Sequence, residues 1–153
     1  MTRVDGQRCV VIGVGNEYRR DDGAGPRVVA ELSGRLPGVE LRITDGEPSR
    51  MLDLWTGAAL AVVVDAVHAP DRPVGAWFEL AASDAPDEPS AGTHGVGLGT
   101  AVALGRVLGR LPERLVVLAV CGSEFGFGAG LSAPVEAAVR PVADRVRELI
   151  VPR

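Results

Sequence analysis

The chain has little of what several kinds of protein need. Only 4% of its 153 residues are aromatic and two are cysteine, so Val, Leu and Ala must fill the core. Cys9 and Cys121 stand far apart and form no metal-type pair; in a reducing compartment they read as small buried hydrophobes. The longest apolar run, Ala58 to Val64, is far too short to span a bilayer. No basic stripe is present and the net charge is −4, which argues against nucleic acid as a partner. Met1 to Asp5 leads directly into the first apolar run with no hydrophobic leader,. The expectation is a monomeric cytoplasmic protein with no membrane or nucleic-acid partner. No internal repeat is visible, and the length fits one domain, residues 1–153, able to bury a two- or three-layer core,.

What is present is organised around Gly13-Val14-Gly15-Asn16-Glu17-Tyr18-Arg19-Arg20-Asp21-Asp22-Gly23-Ala24-Gly25. The apolar run Cys9 to Ile12 precedes it, and Val28, Val29, Leu32 and Leu36 follow at helical spacing. The period changes from strand-like to helical across the stretch, a junction expected at the carboxyl end of a parallel strand, where open α/β sheets keep their ligand sites. A dinucleotide fingerprint fails because Tyr18 occupies the place of its third glycine, and a Walker loop fails because two acids end the loop where a lysine is needed,. One of Asp21 and Asp22 is expected to cap the helix, leaving the other as an acceptor or metal ligand.

Along the chain the pattern predicts strands near 8–13, 39–44, 59–64 and 115–120, and a weaker edge strand near 75–80. Helices are expected over 25–35, in a short segment carrying Met51 to Trp55, after His94, and over 133–150,. The run Ala59 to Val64 has the continuous apolar character of a central strand, and it stops at Asp65. His68 is expected in the loop beyond. Ala81 to Gly92, acidic and rich in Pro, Ser and Ala, reads as a mobile surface loop. The alternation gives an α/β fold, a three-layer α/β/α sandwich with a twisted, mostly parallel sheet of about five strands.

Asp22, Asp65 and His94 stand at strand ends or in the loops that follow. Two carboxylates and an imidazole suit a divalent first-row ion with open positions; the bland alternative is that each forms a turn or caps a helix. A hydrolase triad of Asp65, His94 and Ser123 or Cys121 is a further possibility, but no Gly-X-Ser-X-Gly elbow occurs,.

Three blocks taken together resemble the hydrogenase maturation endopeptidases, the processing proteases of nickel–iron hydrogenase large subunits. They are Gly13-Val14-Gly15-Asn16 with Asp21-Asp22-Gly23-Ala24-Gly25, then Val63-Val64-Asp65-Ala66-Val67, and Thr93-His94-Gly95-Val96-Gly97-Leu98. The resemblance implies that Asp22, Asp65 and His94 are the metal-binding and catalytic residues, with Asp21 left as the cap. It implies an aspartic-type endopeptidase whose partner is the hydrogenase large-subunit precursor, from which it removes a C-terminal extension. Nickel would arrive with that precursor. The turn Asp45-Gly46-Glu47-Pro48 departs from the family's usual Asp-Gly-Gly-Thr and brings an extra acid, Glu47, near the site. Two other readings remain: a metal-independent acid pair, Asp22 with Asp65, similar to the spore germination proteases, and a non-catalytic chaperone that binds the precursor.

Overall fold

The computed structural model describes residues 3–4, 7–81 and 95–150. Its elements run β1 (Arg3–Val4), β2 (Gln7–Val14), a 3-10 turn (Arg20–Gly23), α1 (Ala24–Leu32), β3 (Glu40–Thr44), α2 (Pro48–Trp55), β4 (Leu60–His68), β5 (Trp77–Ala81), α3 (Gly95–Leu108), β6 (Arg114–Gly122) and α4 (Ala133–Ile150). The main sheet has the order β3-β2-β4-β6-β5, parallel except for β5 at the edge. The two-residue β1, which the sequence pattern did not suggest, pairs antiparallel with the start of β2. The acidic stretch expected to be a loop lies outside the described residues beyond Ala81.

Side chains alternate between two cores. Val11, Val62, Val64, Val116 and Leu118 face α1 and α4, while Val10, Ile12, Ala61, Val63 and Val117 face α2 and α3. This is the two-faced burial expected of parallel strands, and it produces the three layers. The chain crosses from β2 to β3 on one side, then back past β2 to β4 on the other. The gap between the carboxyl ends of β2 and β4 is therefore the point where the connections diverge, and open α/β sheets hold their ligands at such a point.

Close backbone packing fixes the start of α1 over that gap. A Cβ on Gly25 would lie 2.5 Å from the Val64 carbonyl oxygen and 2.6 Å from that of Val14, and one on Gly13 would lie 2.5 Å from the Gly25 oxygen. Gly13 and Gly25 thus let a helix touch two strands. Gly25→Ala, meeting backbone on both strands, should cost at least about 2 kcal/mol, lowering the melting temperature by roughly 5 °C; an unchanged melt would refute this packing argument. Helix α1 ends at Leu32, short of the expected Arg35, because Ser33 turns extended and Gly34 takes a φ of 78°.

Two further boundaries differ from expectation. Strand β4 does not stop at Asp65 but continues to His68, because β6 keeps pairing with it through Gly122 after β2 has ended at Val14 opposite Asp65. His68 is thus an exposed strand end and not a loop residue, with its ring edge-on to Phe125 at 6.2 Å. The extra acid Glu47 is the N-cap of α2. Its carboxylate accepts from the Ser49 and Arg50 backbone N–H groups and from the Ser49 hydroxyl, and these bonds hold its pKa low.

Candidate functional site

Strand β2 ends at Val14, and Gly15 then turns the chain with a φ of 141°, its α-carbon so close to the Asp22 carbonyl oxygen that no Cβ fits between them. Asn16 follows. Its side-chain oxygen accepts from the Tyr18 N–H at 2.9 Å, and its own N–H donates to Asp22 Oδ2 at 2.9 Å. The first bond is an Asx turn; the second holds the Asp22 carboxylate over the end of β2. Asp65 is next door, paired with Val14 across the β2–β4 register. The structure thus brings together Asp22 and Asp65, 43 positions apart in the sequence, with 3% and 1% of their surfaces exposed.

The surroundings of Asp65 are unusual for a carboxylate. Among the described residues neither of its oxygens has a well-formed hydrogen bond; the Ala66 N–H offers only a weak opposing pull on the pKa. Burial pushes the pKa well above the ordinary carboxylate range, and the Asp22 charge pushes it further, since both disfavour a second negative charge in a dry place. A buried carboxylate as sparsely bonded as Asp65 is rare and points to a function, and Asp22 lies beside it. Such a pair can share one proton, or it can offer its oxygens to a cation. Among the described residues no third His, Cys, Asp or Glu joins it in a metal-holding group, and His94, the third residue singled out from the sequence, lies outside the described residues.

Asp21 is not a cap. Neither the 3-10 turn nor α1 has a side-chain cap; the Asp21 carboxylate is instead fully buried and accepts four hydrogen bonds from the loop after β6. Burial alone would raise its pKa, but the bonds from Ser123, Ser132 and Glu124 outweigh that and leave it lowered. Of the alternative nucleophiles, Cys121 is buried inside β6, where burial raises its thiol pKa, and Ser123 is exposed, with its backbone N–H donating to Asp21. Raised, shielded thiols are poor nucleophiles, so Cys9→Ser and Cys121→Ser should keep turnover within about twofold of wild type, after a modest loss of stability. A well-folded Cys121→Ser protein without activity would contradict this assignment.

Two open grooves flank the loop that leads to Asp22. One, of about 280 Å³, is lined by Gly15, Asn16, Glu17, Pro26, Ile43 and Asp45; the other, of about 310 Å³, lies between that loop and Ala129–Leu131.

The model of the hydrogenase maturation protease family matches residues 26–149. The chain belongs to this family. The matched span includes Asp65 and His94 and begins just after the turn that carries Asp22. The protease is similar in structure to an endopeptidase from Escherichia coli, with 26% identity and a TM-score of 0.84 over 94% of each chain. It is also similar to the E. coli hydrogenase maturating endopeptidase HybD, with 23% identity and a TM-score of 0.83 over 94% of this chain and 91% of that one. The [NiFe] hydrogenase maturation protease HybD of Thermococcus kodakarensis, 23% identical, gives a TM-score of 0.74 over 94% and 99%. No curated protein sequence matches the chain. As a member of this family the protein is a peptidase, and its reaction is the maturation cleavage at the C-terminus of a hydrogenase large subunit.

Proposed function

We propose that the protease acts on the nickel-loaded precursor of a nickel–iron hydrogenase large subunit, recognising the substrate's nickel through Asp22, Asp65 and His94. The observation that carries this reading is Asp65: a buried carboxylate with no well-formed hydrogen bond among the described residues, beside a second buried carboxylate, at the divergence point of the sheet. Two carboxylates offset the charge of a divalent ion, and a neutral imidazole is a good donor to nickel. Holding the ion fixes the attached chain, so the scissile peptide meets the site in one orientation.

The same residues are suited to the proton transfers of hydrolysis. In a pair sharing one proton, the ionised member takes a proton from the attacking water and the protonated member supplies one to the leaving amine. These roles belong to the metal-independent reading, in which Asp22, stabilised by the Asn16 N–H, is the base, and Asp65, with its raised pKa, is the acid. The enzyme works as a monomer in the cytoplasm, with neither membrane nor nucleic acid as partner; among the described residues no helix is long and apolar enough to cross a membrane.

The test is to incubate the protein with nickel-loaded precursor and weigh both chains. A precursor shortened by a C-terminal peptide is the expected product. A stable complex with the precursor mass unchanged would replace the protease by a precursor-binding chaperone.

A further inference from the structure

The residue next to the acid pair is buried as deeply as the pair itself, yet it faces the other way. In the 3-10 turn successive side chains project about 120° apart, so Asp21 points away from Asp22 and into the loop of residues 123–132. Its Oδ2 accepts from the Ser123 N–H at 3.0 Å, the Glu124 N–H at 3.0 Å and the Ser132 hydroxyl at 2.9 Å, while its Oδ1 accepts from the Ser132 N–H at 2.7 Å. One carboxylate thereby ties both ends of a ten-residue loop.

The backbone on either side is stitched to the same loop. The Asp21 N–H donates to the Glu124 oxygen, the Arg20 N–H to the Gly128 oxygen, and the Gly128 N–H to the Tyr18 oxygen. Gly122, where β6 ends, leaves the room: a Cβ there would stand 2.9 Å from the Asp21 Cβ. Arg20 is held at a φ of 51°, the one positive φ of any non-glycine among the described residues. A bulky residue adopts that conformation only where its surroundings impose it, and here the surroundings are the clamped loop.

We propose that Asp21 is a positioning residue for the cleavage reaction: by clamping the 123–132 loop onto the 3-10 turn it holds Asp22 in place above Asp65. The proposal rests on the reading of Asp22 as a reacting group. A free turn would relax the backbone at Arg20 and carry Asp22 off the Asn16 N–H. Misplacing a reacting group by an ångström lowers the rate of the chemical step far more than it weakens substrate binding. The 123–132 loop thereby becomes part of the catalytic apparatus through its bonds to Asp21.

Steady-state kinetics of Asp21→Asn, Ser132→Ala and Asp22→Asn, with circular dichroism and melting curves on each, test the proposal. The Asn side chain keeps the size of Asp but, in either orientation, turns an amide donor toward one of the loop's donors. For Asp21→Asn the expected result is a kcat lower by about 10- to 100-fold per folded molecule, with KM within about threefold. Ser132→Ala, losing one donor of four, should lower kcat about threefold. A purely structural clamp would reduce activity only in proportion to the unfolded fraction, so wild-type kcat in folded Asp21→Asn overturns the proposal. If that variant does not fold, wild-type kcat in Ser132→Ala overturns it. Asp22→Asn separates the two failures: full activity there sinks the reading of the site itself, whereas an inactive Asp22→Asn beside a fully active Asp21→Asn sinks the positioning role alone.

Discussion

Asp65→Asn should give a protein that is folded, more heat-stable than wild type above neutral pH, and at least about 100-fold slower in cleaving the precursor. Both effects come from one fact, that the carboxyl is buried with no well-formed hydrogen bond among the described residues and its pKa is pushed well up by burial and by Asp22. The sign of the stability effect follows from linkage. A carboxyl whose pKa is higher in the folded than in the unfolded chain favours folding below the unfolded value, and that contribution is lost as pH rises through the folded value. Asparagine does not titrate, so the advantage of Asp65→Asn should grow toward pH 8 and shrink toward pH 4. Sites that keep an unfavourable charge for chemistry commonly gain stability and lose activity when it is removed. Melting curves across this pH range would contradict the account if the wild type stayed the more stable protein at every pH.

Asp21 gives the opposite slope, since its pKa is lowered in the fold. Its contribution is present above the unfolded carboxylate value and is lost as pH falls through the folded one. The two neighbouring sites should therefore be told apart by acid: the loop clamp loosens there, while the Asp65 penalty disappears.

The second large effect concerns His94. As the imidazole donor of the proposed set, it should be needed for processing of the loaded precursor, and His94→Ala should lower the rate by about 100-fold or more while Asp22 and Asp65 remain. Added imidazole restoring part of the rate would strengthen the assignment. Processing at the wild-type rate by His94→Ala would remove His94 from the site and leave the acid pair to act alone.

How much of this was legible depended on how local the determinants are. The layers could be read because β4 is apolar from Leu60 to Val64 and α1 and α4 carry their apolar residues at helical spacing. Asp65 could be picked out because it interrupts that apolar run, but its position inside β4 could not, since β4 is prolonged by pairing with β6, about fifty residues on. Asp21 and Asp22 were indistinguishable in kind. What separates them is that Asp21 meets Ser123, Glu124 and Ser132, over a hundred positions away, while Asp22 meets the Asn16 N–H six positions back. The second contact is foreshadowed by spacing and the first is not. Glu47, by contrast, caps the helix that starts at the very next residue, Pro48. That pattern is local and legible in the sequence.

In the proposed function, the substrate's nickel is what the acid pair and His94 recognise. Nickel-loaded and nickel-free precursor, each with its C-terminal extension intact, should be incubated with the enzyme under identical conditions and the products weighed over time. The account predicts that the loaded precursor loses its extension and the nickel-free precursor keeps it. Cleavage of both at the same bond and the same rate would contradict it and leave Asp22 and Asp65 as a metal-independent pair.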